Sequence, residues 1–150
     1  MKKVLITIII ILSFSIIFYI FNKKDYITCT NKTMNNEYIL LSKYKIYYNK
    51  NEVYKIEISE EIEAETTSKL KEIMEDIEKN YIKYKNEIGS YEYTLNQNKN
   101  KGNSNVIIDY NKMNMEAYIK YNPEAKLNSN NKYNLEDLKE LYEERGAVCK

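Results

Sequence analysis

Two cysteines, Cys29 and Cys149, stand near the two ends of the chain that follows its apolar start. In that placement their natural chemistry is oxidation to a disulfide. Such a bridge staples one domain by closing a loop of about 120 residues. Two free thiols in a reducing compartment are the competing reading. A metal site needs more ligands than two thiols, and the chain has no His. Without His there is no Ser-His-Asp or Cys-His nucleophile pair and no imidazole base. Three isolated glycines make no phosphate-cradling loop. Asp109-Tyr110-Asn111 begins like a calcium loop but lacks its central Gly and its later acid. No cofactor and no metal is expected.

Carboxylates and tyrosines are the remaining chemistry. Glu57, Glu60, Glu61, Glu63 and Glu65 form an acidic run. A pair of them can serve as acid and base in glycoside cleavage. A solvated strand end, with Glu63 and Glu65 favourably placed before a helix, accounts for the run more simply. Tyr44, Tyr47, Tyr48, Tyr54, Tyr91 and Tyr93 fall on three predicted strands. Rings gathered on one sheet can stack on sugars or grip a partner. The candidate binding surface is therefore Tyr47, with Tyr44, Tyr54, Tyr91 and Tyr93. The competing role for each ring is core packing, because Trp is absent and all three Phe lie before residue 22. Tyr47 is the ring expected on the wet face.

The element that would position all of this is the run Val4 to Phe21, which has no charge, Pro or Gly. As a helix it spans about 27 Å, close to the ~30 Å of a bilayer core. No small-x-small cleavage pattern follows it, and Cys29 lies too late for lipidation. The expectation is an N-terminal transmembrane signal-anchor helix within residues 1–24 and one extracytoplasmic domain over 25–150. Lys2 and Lys3 in front balance Lys23 and Lys24 behind, so the positive-inside rule does not set the orientation. The disulfide does, by requiring an oxidising compartment. Of the 23 basic residues, 21 follow Lys3, against 22 acidic ones. That balance argues against a nucleic-acid surface.

Within the domain, Ile27–Asn31, Glu37–Tyr48 and Val53–Glu63 alternate apolar and polar residues, as strands with one buried face do. On one face of the second run lie Tyr38, Leu40, Ser42, Tyr44, Ile46 and Tyr48, and the third run offers Tyr54, Ile56 and Ile58. Thr66 to Ile88 changes to helical period, with Leu70, Ile73, Met74, Ile77, Tyr81, Tyr84 and Ile88 in one stripe and Gly89 as the stop. Ser90–Gln97 and Asn105–Tyr110 read as strands joined by a loop whose Gly102 takes a positive φ. Met113–Tyr121 reads as a short helix. Asn134 caps a last helix, and Ala147-Val148-Cys149 returns to the first strand. The fold class is α+β, one antiparallel sheet packed by a long helix, in the order β-β-β-α-β-β-α-α.

Tyr44-Lys45-Ile46-Tyr47, Val53-Tyr54-Lys55-Ile56, the long helix, Tyr91-Glu92-Tyr93 and Val106 through Met113 resemble small bacterial cell-envelope lipoproteins of the YehR type. The likeness covers roughly residues 27–120. It implies an extracytoplasmic α+β domain and carries over no catalytic residue. The expected function is a non-enzymatic, membrane-tethered module that binds an envelope protein or glycan. The alternatives are a structural subunit of a membrane complex and a hydrolase using Glu57–Glu65. The expected location is the bacterial cell membrane, single-pass, with the domain outside.

Overall fold

Within Tyr38–Asn49, period two puts Tyr38, Leu40, Tyr44, Ile46 and Tyr48 on one face, and the rest of the sheet grows from this stretch. In the computed structural model, which describes residues 25–123 and 125–150, this stretch is strand β2. It pairs antiparallel with β1 (Asp25–Met34) on one side and β3 (Glu52–Ala64) on the other. Helix α1 (Thr67–Glu87) then crosses to β4 (Tyr91–Asn98), which turns back into β5 (Lys101–Asp109). Helices α2 (Met115–Tyr121) and α3 (Leu135–Glu144) follow, and β6 (Val148–Cys149) closes the chain. The six-stranded sheet runs β4-β5-β3-β2-β1-β6, antiparallel at every pairing.

Local chemistry sets the boundaries. Lys50 and Asn51 both adopt positive φ (48° and 71°), the left-handed pair that a two-residue hairpin needs to match strand twist. The Thr66 hydroxyl accepts the Lys69 N–H at 3.1 Å, and Gly89 takes φ 70° just past the end of α1. Asn114 caps α2 through the Ala117 N–H, and Asn134 caps α3 through the Glu136 N–H.

Helices α1, α2 and α3 pack on one face of the sheet. Leu70 and Met74 of α1 join Ile62 and Ala64 in one apolar cluster, with Ile73 and Ile77 packed against it. Ile46, Val53, Ile56, Val106 and Ile108 form the floor of a larger cluster, roofed by Tyr118, Leu135 and Leu138. Burying each such side chain is worth about 1.5–3 kcal/mol. The rings replace the missing Phe and Trp. Tyr110, Tyr118 and Tyr133 meet edge to face, and the Tyr118 and Tyr133 hydroxyls lie 2.9 Å apart.

Several expectations need correction. No helix among the described residues is long and apolar enough to cross a membrane. The architecture is therefore one sheet with packing helices, without a transmembrane element among those residues. The run Val4–Phe21, which prompted the anchor, lies outside the described residues. The single-pass anchor is withdrawn, and with it the membrane as partner and the single-pass location. A sixth strand is added to the expected order, because Val148 and Cys149 pair with Thr30 and Cys29.

Gly102 is the third correction. It lies inside β5, and the positive φ of the β4–β5 turn falls on Lys99 (54°) instead. What Gly102 supplies is room: a Cβ there would meet Met74 Sδ at 2.9 Å and Leu70 Cδ1 at 3.2 Å. Both side chains are buried under α1. Gly102→Ala is therefore expected to push α1 off β5 and cost about 1–3 kcal/mol, read by urea unfolding. An unchanged midpoint would mean that Met74 yields without loss.

Candidate functional site

Period-two alternation divides the tyrosines between the two faces of the sheet. Tyr44, Tyr91 and Tyr93 fall on the helix side. The ring of Tyr44 lies 4.4 Å from that of Tyr142 in α3. Tyr91 faces Tyr84, and Tyr93 faces Tyr81, both in α1. These three rings pack against the larger core cluster.

Tyr47 and Tyr54 come together on the other face, which no helix among the described residues covers. Tyr54 arrives there through an irregularity in β3. Lys55 stands opposite Tyr47 and Val53 opposite Tyr48, so Tyr54 is one residue too many. The resulting bulge sends Val53 into the core and brings the Tyr54 ring to 6.2 Å from that of Tyr47. This corrects the placement of Tyr54 beside Ile56 and Ile58.

Tyr26, which the sequence did not single out, completes the group. Its ring lies 5.6 Å from that of Tyr47, and the residue as a whole is 51% exposed. Tyr47 itself is only 8% exposed, although it stands on the wet face. Its neighbours explain the burial. The Lys45 ammonium lies 5.0 Å and the Lys55 ammonium 4.9 Å from the Tyr47 ring centre, and Lys45 also caps Tyr26 at 4.1 Å. Long lysine stems cover ring surface while their charges stay in water.

Glu57 anchors the cluster. It accepts a hydrogen bond from the Tyr47 hydroxyl at 2.8 Å and pairs with Lys55. Burial opposes ionisation of Glu57, but the bonds from Lys55 and Tyr47 outweigh it and hold the carboxyl below its usual range. Lys55 is held above its usual range by Glu57, and Lys45 by Tyr47. Burial raises the Tyr54 hydroxyl against the opposing charge of Lys55. All these groups keep their ordinary charge near neutrality.

The acidic run is split by the same alternation. Glu57, Glu61 and Glu63 share the open face, where Glu63 pairs with Lys101 at 3.3 Å. Glu60 lies on the helix face, opposite Ser42 and Ser104 in the register. The alternation sets Glu60 apart from its neighbours in the run, whereas Glu61 and Glu63 line one open groove, in which Lys101 pairs with Glu63. Among the described residues no three His, Cys, Asp or Glu side chains gather as a metal site.

The Cys29–Cys149 disulfide forms, joining β1 to β6. Register explains why these two residues meet. Thr28 and Lys150 exchange both backbone hydrogen bonds at 2.9 Å. The adjacent Cys29–Cys149 pair is thus a non-hydrogen-bonded one, where opposed side chains approach most closely.

Comparison with solved structures places the fold. The NMR structure of the Escherichia coli YehR protein superposes with a TM-score of 0.58 at 17% identity, covering 85% of this chain and 92% of that one. The NMR structure of a protein from Streptococcus pneumoniae superposes with a TM-score of 0.54 at 11% identity, covering 86% of each chain. These likenesses establish a shared fold, in keeping with the resemblance to the YehR type. No protein-family profile and no curated protein matches the sequence.

Proposed function

We propose that this is a non-enzymatic binding module of the bacterial cell envelope, which contacts a protein or glycan through the open face of its sheet. The observation that carries this is the cluster of Tyr26, Tyr47 and Tyr54 with Lys45 and Lys55 on the face that no helix among the described residues covers. Its rings and ammonium groups are fixed by contacts with one another before any partner arrives, which lowers the ordering cost of binding. Exposed aromatic rings backed by buried ones are the usual anchors of such surfaces. Two further points support the extracytoplasmic setting. The disulfide belongs to an oxidising compartment, and the fold is shared with YehR.

The test is retention of the full chain on isolated envelope material. Tyr26→Ala combined with Tyr54→Ala is expected to weaken retention by about tenfold or more, the effect of losing a central anchor. Tyr47 stays in place in that variant, so the sheet is undisturbed. Equal retention of the double variant, or no retention of the parent chain, would reject the proposal.

A further inference from the structure

On the helix face, one row of the sheet breaks the apolar pattern. Asn31, Ser42, Glu60 and Ser104 stand side by side across β1, β2, β3 and β5. The row on one side is Cys29, Tyr44, Ile58 and Val106, and the row on the other includes Leu40 and Ile62. This polar belt separates the two apolar clusters of the core.

Glu60 is its charged member. Its Oε2 accepts hydrogen bonds from Ser104 Oγ at 2.5 Å and from the Tyr81 hydroxyl at 3.2 Å. Among the described residues, no lysine or arginine forms a salt bridge with it. A half-buried carboxylate without a cation costs stability that an apolar residue of similar size would not.

Beside α1 the belt opens into a groove of about 270 Å³. Leu40, Ile62, Ile73 and Ile77 wall it, Tyr38 and Tyr81 present rings, and Glu60 supplies the charge. The lining asks for a positive head on a short apolar body.

We propose that this groove binds a small primary alkylammonium, its hydrocarbon arm among the isoleucines and its ammonium group on Glu60. The aromatic rings add favourable faces for the cation. The site lies on the opposite side of the sheet from the open-face cluster and stands or falls independently of it.

The test is an NMR titration of the full chain, labelled at isoleucine methyls, with hexylammonium chloride. Saturable shifts are expected at Ile62, Ile73 and Ile77. Hexan-1-ol, with the same arm and no charge, should bind about tenfold more weakly or worse, as should the alkylammonium to Glu60→Gln. Glu61→Gln, on the open face, should bind like the parent. Equal binding of the alcohol, undiminished binding by Glu60→Gln, or the absence of saturable shifts at millimolar amine would overturn the proposal. Should Glu60→Gln not fold, Ile77→Trp, which fills the groove from its wall, must abolish the shifts instead. Retention on envelope material is scored separately, so loss of either proposal leaves the other standing.

Discussion

Replacing both cysteines, Cys29→Ala with Cys149→Ala, is expected to destabilise the fold by about 4–5 kcal/mol, the chain-entropy value for a closed loop this long. The bridge joins residues 120 apart in sequence. For a domain of this size the melting temperature should fall by roughly 15 °C. The structure gives reason to expect the full effect. β6 has only two residues, yet it holds the end of α3 against the sheet. Ala147, Leu138 and Tyr142 pack there over Tyr44 and the fully buried Cys29. Without the bridge, that corner depends on a short ladder and a few side chains. Urea unfolding of the variant and of the parent, with and without reductant, measures the difference. A change below about 1 kcal/mol would show that packing alone holds the C-terminal segment.

Much of this arrangement could be read from residue order. Tyr38, Leu40, Tyr44, Ile46 and Tyr48 recur at period two, which marks the buried face of β2 even though Ser42 interrupts it and Ile39, Leu41 and Tyr47 lie on the other face. The stripe from Leu70 to Ile88 set the buried side of α1, and Asn134 marked the start of α3. The same alternation assigns Glu60 to the face of Ile56, Ile58 and Ile62, a signal that the surrounding run of glutamates obscured. Other features depend on tertiary contact. Tyr47 is buried on a wet face because Lys45, Lys55 and Tyr26 cover it, and no single strand shows that. The bulge at Tyr54 leaves only a faint trace, two adjacent large apolar residues, Val53 and Tyr54, where strict alternation allows one. Gly102 looked like a turn glycine because Lys99 to Asn103 is rich in turn formers. Its use as clearance for Leu70 and Met74 follows from where α1 crosses, which no local pattern records.

A second large effect is expected in alkali, where the domain should unfold in one cooperative step beginning just above pH 10. Burial pushes the Tyr91 hydroxyl up to about 12. Burial likewise raises Tyr110, aided by the neighbouring Tyr118 ring, and raises Tyr118, aided by its bond to Tyr133. Tyr81 and Tyr142 are raised for the same first reason, with Glu60 adding to the shift of Tyr81 and Tyr44 to that of Tyr142. The sign follows from which state keeps its protons. Below about pH 10 both states hold them, and stability is at its full value. Above it the unfolded chain ionises while the folded one does not, so stability falls as pH rises through the folded values. The well-buried Tyr110 and Tyr118 alone withdraw about 3 kcal/mol per pH unit in this window. A domain with the usual 5–15 kcal/mol is then exhausted within roughly two to five units, and sooner as the partly exposed rings contribute. Tyrosinate absorbance and far-ultraviolet circular dichroism, followed together, measure this. Ionisation of the buried rings should coincide with loss of the sheet signal. Tyr142→Phe keeps the ring against Tyr44 but removes one titrating hydroxyl, so it should raise the alkaline midpoint. Smooth ionisation of every tyrosine with the sheet signal intact would mean that these hydroxyls reach water in the native state, and that the core is looser than its aromatic contacts indicate.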